Sequence, residues 1–300
     1  FGFDPFAQWL ANRGYAVLSV NARGSTGFGK AFLNAGNREW GGRMQEDLLD
    51  ALQWAVTNGV AQRDHVAIVG AGYGGFAALT GLASTPDQFR CGVSFGGPAN
   101  LTSMLESLPA YWTASRDQLY LRIGDPRTPD GRQALRDHSP LTRAAQIARP
   151  LLLALGARDP HTPREDIDQV ASALRGRQAG FVYLVYPEEG HELLRPQNRL
   201  SFYAVMEQFL GTCLGGRIEP VGAAFDGASL QAFDGAATVP GLSAFARRMP
   251  APAPATDQAP TEPGEGSGGP ETEAPPPADA APAPAATIVA PTASSLTPTP

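Results

Sequence analysis

Short apolar runs alternate along this chain with stretches whose apolar positions recur every three or four residues. The runs Tyr15–Val20, Val66–Val69, Gly92–Phe95, Leu151–Leu155 and Phe181–Tyr186 are rich in Val, Leu, Ile and Tyr and are followed by Gly, Asn or Pro. That pattern predicts strands. Between them, Glu46–Thr57 carries Leu48, Leu49, Leu52 and Val56 on one helical face, and Asp166–Leu174 and Leu200–Leu214 behave alike. Strands alternating with amphipathic helices predict an α/β fold, a mostly parallel sheet with helices on both faces. The stretch Asn100–Pro140, with Tyr111, Trp112 and several prolines, interrupts the alternation and reads as an insertion over one sheet edge. The sequence AFDGA at 224–228 and again at 232–236 is too short for a repeat architecture and reads as two turns.

The pattern stops near residue 248. Residues 251–300 hold 13 of the 28 prolines and six of the 29 acids, with no aromatic residue, Lys or Arg. Such a segment cannot bury enough apolar surface to offset about 1–2 kcal/mol per residue of backbone ordering. The expected organisation is an α/β domain over 1–247 and a disordered, acidic Pro/Ala-rich tail over 248–300. The formal charge of −6 then belongs to residues 251–300, and residues 1–250 are neutral. A neutral body argues against nucleic acid as a partner, because phosphate binding requires a surplus of Lys and Arg. No apolar run approaches the roughly 18 residues of a membrane span. Cys91 and Cys213 form no disulfide framework or metal signature, and their state stays open. The opening Phe-Gly-Phe-Asp carries no initiator Met or signal pattern and reads as the start of a fragment.

Three places could carry chemistry. The strand at 66–69 runs into Gly70-Ala71-Gly72-Tyr73-Gly74-Gly75 and then a helical stretch from Phe76 to Leu82. A tight strand-to-helix turn with small residues around its apex is the nucleophile elbow, G-x-S-x-G, and here Gly72 stands at the apex. Gly70, Gly72 and Gly75 also fit the dinucleotide pattern G-x-G-x-x-G, but the acid near Asp87 does not end a second strand as that motif requires. Asp159 follows the strand at 151–155, and His191 lies in the loop Pro187-Glu188-Glu189-Gly190-His191 after the strand at 181–186. Alone, such an Asp is an ordinary turn residue and such a His an ordinary solvated one. In the order elbow, acid, histidine, each past a strand end, they match a Ser-Asp-His triad of the α/β-hydrolase type.

These stretches resemble the catalytic domain of the prolyl oligopeptidase family of serine peptidases, near its bacterial dipeptidyl-aminopeptidase and acylaminoacyl-peptidase members. The likeness is carried by Leu10–Phe32, Trp40–Asp50, Val66–Phe76, Cys91–Asn100, Ser139–Pro140, Pro150–Pro160 and Tyr186–Phe202. The resemblance implies peptide-bond hydrolysis without a cofactor or metal, and a peptide substrate or ligand. It also implies an upstream β-propeller and an upstream oxyanion loop, neither of which lies in this sequence. Asp159 matches the acid, His191 the base and Gly72 the nucleophile position. The Tyr73 backbone N–H matches the second oxyanion donor. The side chains of Tyr73, Tyr111 and Trp112 fall where the family builds its substrate pocket, or serve as ordinary core aromatics. Glu192 and the pair His161-Thr162 depart from the family pattern.

Glycine has no atom with which to attack a carbonyl, so an acyl-enzyme cannot form at position 72. Ser84 and Ser94 lie in other elements. The chain as written is therefore expected to be inactive. Three readings remain: a homologue that lost its nucleophile and serves as a binding or scaffold module, an active peptidase whose serine was replaced or misread, and a passive domain anchoring a functional tail. The compartment stays open between bacterial cytoplasm and periplasm.

Overall fold

The computed structural model describes residues 2–177, 180–248 and 286–291. The elements run α1 (Pro5–Asn12), β1 (Tyr15–Val20), α2 (Lys30–Asn34), α3 (Arg43–Thr57), β2 (Ala67–Ala71), α4 (Tyr73–Ser84) and β3 (Cys91–Phe95). They continue with α5 (Leu101–Glu106), α6 (Arg116–Arg122), α7 (Pro129–His138), β4 (Leu151–Gly156), α8 (Arg164–Leu174) and β5 (Phe181–Tyr186). The last are α9 (Pro196–Leu214), β6 (Gln231–Asp234) and β7 (Ala286–Pro291). They build one sheet in the order β1-β7-β2-β3-β4-β5-β6. The central strands β2 to β5 pair in parallel, and β6 and β7 are antiparallel to their neighbours.

Strand alternation divides the core into two layers, as the two-residue period of a strand requires. Leu151, Leu153 and Leu155 of β4 and Tyr183 and Val185 of β5 face one cluster, which α3, α4 and α8 cover. Leu152 and Ala154, with Val182, Leu184 and Tyr186, face the other, where α1 and α9 pack. On β3, Cys91, Val93 and Phe95 all face the α9 side. The opposite face carries only Gly92 and Ser94. A Cβ at Gly92 would lie 2.8 Å from the Leu82 side chain, so the small residue lets α4 press onto the sheet.

The parallel α/β sheet with helices on both faces matches the pattern of the sequence, and β1 and β5 have the expected limits. Three features differ, and a further one, left open by the sequence, is settled. Cys91 and Cys213 form a disulfide joining the start of β3 to the end of α9. The second AFDGA is no turn, because Ala232, Phe233 and Asp234 form β6 beside β5, where Phe233 packs on Tyr183 at 5.6 Å. The segment after β3 leaves from a central strand rather than an edge, and it brings Trp112 against His161. Within the Pro/Ala-rich tail, Ala286–Pro291 pairs as β7 with β1 and β2, and Ile288 is buried in the core. The β-branched Thr287-Ile288-Val289 suits that slot. The rest of the tail expected to be disordered, 249–285 and 292–300, lies outside the described residues. Among the described residues no helix is long and apolar enough to cross a membrane.

Candidate functional site

The turn after β2 is built by close approach. A Cβ on Gly70 would stand 2.4 Å from the Gly74 carbonyl carbon, so the strand and α4 meet at a distance only glycine permits. At the apex Gly72 has φ 54° and ψ −119°, a region that residues with a Cβ occupy at a cost of about 1–3 kcal/mol. The Gly72 N–H donates to the Phe95 carbonyl of β3 (3.0 Å), and the Gly72 carbonyl accepts from Phe76 N–H (3.0 Å). Tyr73 opens α4, so its N–H is one of the donors a helix start leaves without an intrahelical acceptor.

Asp159 follows β4, with its side chain fully shielded from solvent. Oδ1 accepts from His161 N–H (2.8 Å), and Oδ2 lies 2.9 Å from His191 Nδ1. With Nδ1 facing a carboxylate, the proton belongs on that nitrogen and Nε2 is left as the basic one. The Asp159 hydrogen bond raises the His191 pKa above its ordinary value against the opposing effect of burial, with the charges of Asp159 and Glu192 assisting. Room for the pair comes from Gly96, just past β3. At φ 54° it needs glycine, and a Cβ there would lie 3.1 Å from Asp159 Oδ2. Thr162 Oγ1 donates to the Gly96 carbonyl (2.8 Å) and ties the acid loop to this turn.

The loop bearing His191 is clamped from within by buried Glu189. Its carboxylate accepts from Leu194 N–H (2.9 Å), Arg195 N–H (3.1 Å) and Asn198 Nδ2 (2.6 Å). The Glu189 carbonyl also accepts from Arg158 N–H (2.9 Å), which joins the acid and histidine loops. His161 completes the group. Its ring lies 5.0 Å from that of His191, 25° from parallel, and the Trp112 ring meets it edge-on at 5.2 Å. Burial and the neighbouring His191 both lower the His161 pKa.

Of the residues singled out from sequence, Asp159 and His191 are joined directly, and Gly72 sits at the matching end of β2. A cavity of about 510 Å³ has Gly70, Ala71, Phe95, His191, Phe202 and Met206 among its walls. The aromatic candidates separate. The Tyr73 ring is buried against Trp40 (4.8 Å) and Phe76 (5.9 Å), so it is core. Tyr111 is 74 % exposed, and of the three aromatic candidates Trp112 packs on His161. Sequence reasoning missed Glu189 as the clamp and noted His161 only as a departure; its place two residues after Asp159 was the available signal.

The arrangement holds an oriented, carboxylate-backed imidazole at the carboxyl ends of parallel strands, with no hydroxyl at the elbow. A sequence profile described as the prolyl oligopeptidase family matches residues 1–217. The chain is 53 % identical over 243 residues to dipeptidyl aminopeptidase BIII of Pseudoxanthomonas mexicana, covering 81 % of this chain and 35 % of that protein. It is 45 % identical to dipeptidyl peptidase family member 6 of Caenorhabditis elegans, covering 73 % of this chain and 30 % of that one. The chain thus spans about a third of the length of these relatives. Among solved structures, a puromycin-hydrolyzing peptidase of Mycobacterium tuberculosis superposes with a TM-score of 0.61 at 30 % identity, covering 67 % of this chain and 30 % of that one. The acylaminoacyl peptidase of Pyrococcus horikoshii shares the fold, with a TM-score of 0.58 at 23 % identity over 67 % of this chain and 32 % of that one.

Proposed function

Because the chain belongs to the prolyl oligopeptidase family of serine peptidases, we propose that it carries a peptidase site halted at its first chemical step. Asp159 is the acid, His191 the base, and Gly72 holds the nucleophile's position. The observation that carries this reading is the Asp159–His191 hydrogen bond of 2.9 Å at the same sheet end as a bare elbow apex. In a working triad the base takes a hydroxyl proton as the oxygen attacks a carbonyl, and the acid stabilises the resulting imidazolium. Gly72 offers no oxygen, so no acyl-enzyme forms, and the Tyr73 N–H at the start of α4 is the oxyanion donor we assign.

The relatives' names, dipeptidyl aminopeptidase and acylamino-acid-releasing enzyme, point to the N-terminal part of a peptide as the ligand. The cavity beside His191 is the place we assign to it. The upstream β-propeller that the resemblance implies belongs to the same proposal. The intact acid–base pair also supports the second reading, a peptidase site in which only the serine has been exchanged. A fluorophosphonate probe tests both. The chain as given takes no label; Gly72→Ser takes label slowly at position 72, and adding His191→Ala abolishes it. Labelling of the Gly72 form at any residue of this site would place a nucleophile elsewhere and end the inactive reading. A Gly72→Ser chain that labels equally well with His191→Ala added would end the assignment of His191 as base.

A further inference from the structure

The triad reading gives His161 no task, yet its ring is held against His191. We propose that Asp159, His161 and His191 form a binding site for a divalent transition-metal ion of the zinc type. Each of the three offers one ligand atom, and these atoms all lie within 4.8 Å of one another. Two imidazoles and one carboxylate are the donors zinc takes, and three protein ligands leave a position for water or a ligand group.

The ring geometry agrees with shared coordination. Zinc–nitrogen bonds of about 2.0–2.1 Å at angles between a right angle and the tetrahedral value put two imidazole centres about 4.5–5.2 Å apart. Here the centres are 5.0 Å apart. Closing the set needs only side-chain adjustments, because the backbone is already fixed. Asp159 accepts the His161 backbone N–H, Trp112 braces the His161 ring, and Glu189 clamps the His191 loop. Asp159, shielded from solvent, supplies the charge that a partly buried cation requires. The inference rests on the positions of three side chains and holds whether or not the chain hydrolyses peptides.

The sequence has four histidines, which makes the test selective. Chelator-treated chain is titrated with zinc chloride by calorimetry, and the ring resonances of His65, His138, His161 and His191 are followed by NMR. The expected result is one zinc bound per chain, with shifts at His161 and His191 only. His161→Gln and His191→Gln each weaken binding at least tenfold with an unchanged circular dichroism spectrum, whereas His65→Gln and His138→Gln leave it unchanged. Should either site variant fail to fold, the shift pattern of the unmodified chain decides alone. The proposal is overturned by absence of saturable zinc binding, by shifts confined to His65 or His138, or by a folded His161→Gln variant that binds zinc as tightly as the parent.

Discussion

Alanine at the two elbow glycines separates a torsional cost from a steric one. At Gly72 the backbone lies at φ 54°, ψ −119°. Placing a Cβ there costs about 1–3 kcal/mol of conformational strain, less about 0.4–1 kcal/mol recovered because the unfolded chain loses freedom. Gly72→Ala, and likewise Gly72→Ser, should therefore lose about 0.5–2 kcal/mol. Gly70 lies outside the positive-φ region, but its Cβ would stand 2.4 Å from the Gly74 carbonyl carbon and 2.6 Å from its oxygen. Comfortable separations for such atoms are about 3.5–4.0 Å, and both obstructing atoms are backbone. Relief requires β2 and α4 to separate through the centre of the core, which should cost about 3 kcal/mol or more. Urea unfolding followed by tryptophan fluorescence reads the difference. With a slope of about 1–3 kcal/mol per molar, Gly70→Ala should unfold about 1 M earlier than Gly72→Ala. Equal midpoints, or a reversed order, would refute the view that close approach rather than torsion is the dominant demand of this turn.

NMR titration should place the His191 midpoint above the ordinary histidine value of about 6.5 and that of His161 below it. By linkage, the stability from His191 is complete below about pH 6.5 and lost as pH rises through its folded midpoint. That from neutral His161 is present above about pH 6.5 and lost as pH falls through its own; Asp159→Asn should lower the His191 midpoint, and a His161 midpoint above that of His191 would contradict the arrangement. Replacing both Cys91 and Cys213 by alanine should lower the unfolding free energy by about 2–4 kcal/mol, with reductant then having no further effect on the urea midpoint. Glu189→Ala strands three donors and should cost about 3 kcal/mol, with faster amide hydrogen exchange at Leu194 and Arg195 than in the parent.

The central sheet was legible because its strands are continuous apolar runs bounded by turn residues. The hydrogen-bonded pair Asp159 and His191 was legible because each residue follows such a run. What escaped depends on partners distant in sequence. Gln231–Asp234 carries two apolar residues in four, and only the neighbouring β5 makes it a strand. Cys91 and Cys213 look unrelated until α9 lies across β3. Thr287-Ile288-Val289 is hidden in a segment whose composition is set by Ala and Pro. Tyr73 fits a pocket residue by position, but the tight turn at Gly72 sends its ring into the core. His161 gains significance only from the ring stacked on it.

The Cys91–Cys213 bond has a mechanical consequence. It closes a loop with a sequence separation of 122 residues, and tension applied through residues outside that loop cannot lengthen it. An extended chain spans at most about 3.3–3.6 Å per residue, so about 400–440 Å of contour length stays withheld until the bond is reduced. Asp159, His161 and His191 lie within the locked segment, and Gly72 lies outside it. A single-molecule pulling trace should therefore draw out the elbow strand while the acid and both histidines remain on one covalent ring. Reductant should release the missing length in a separate step.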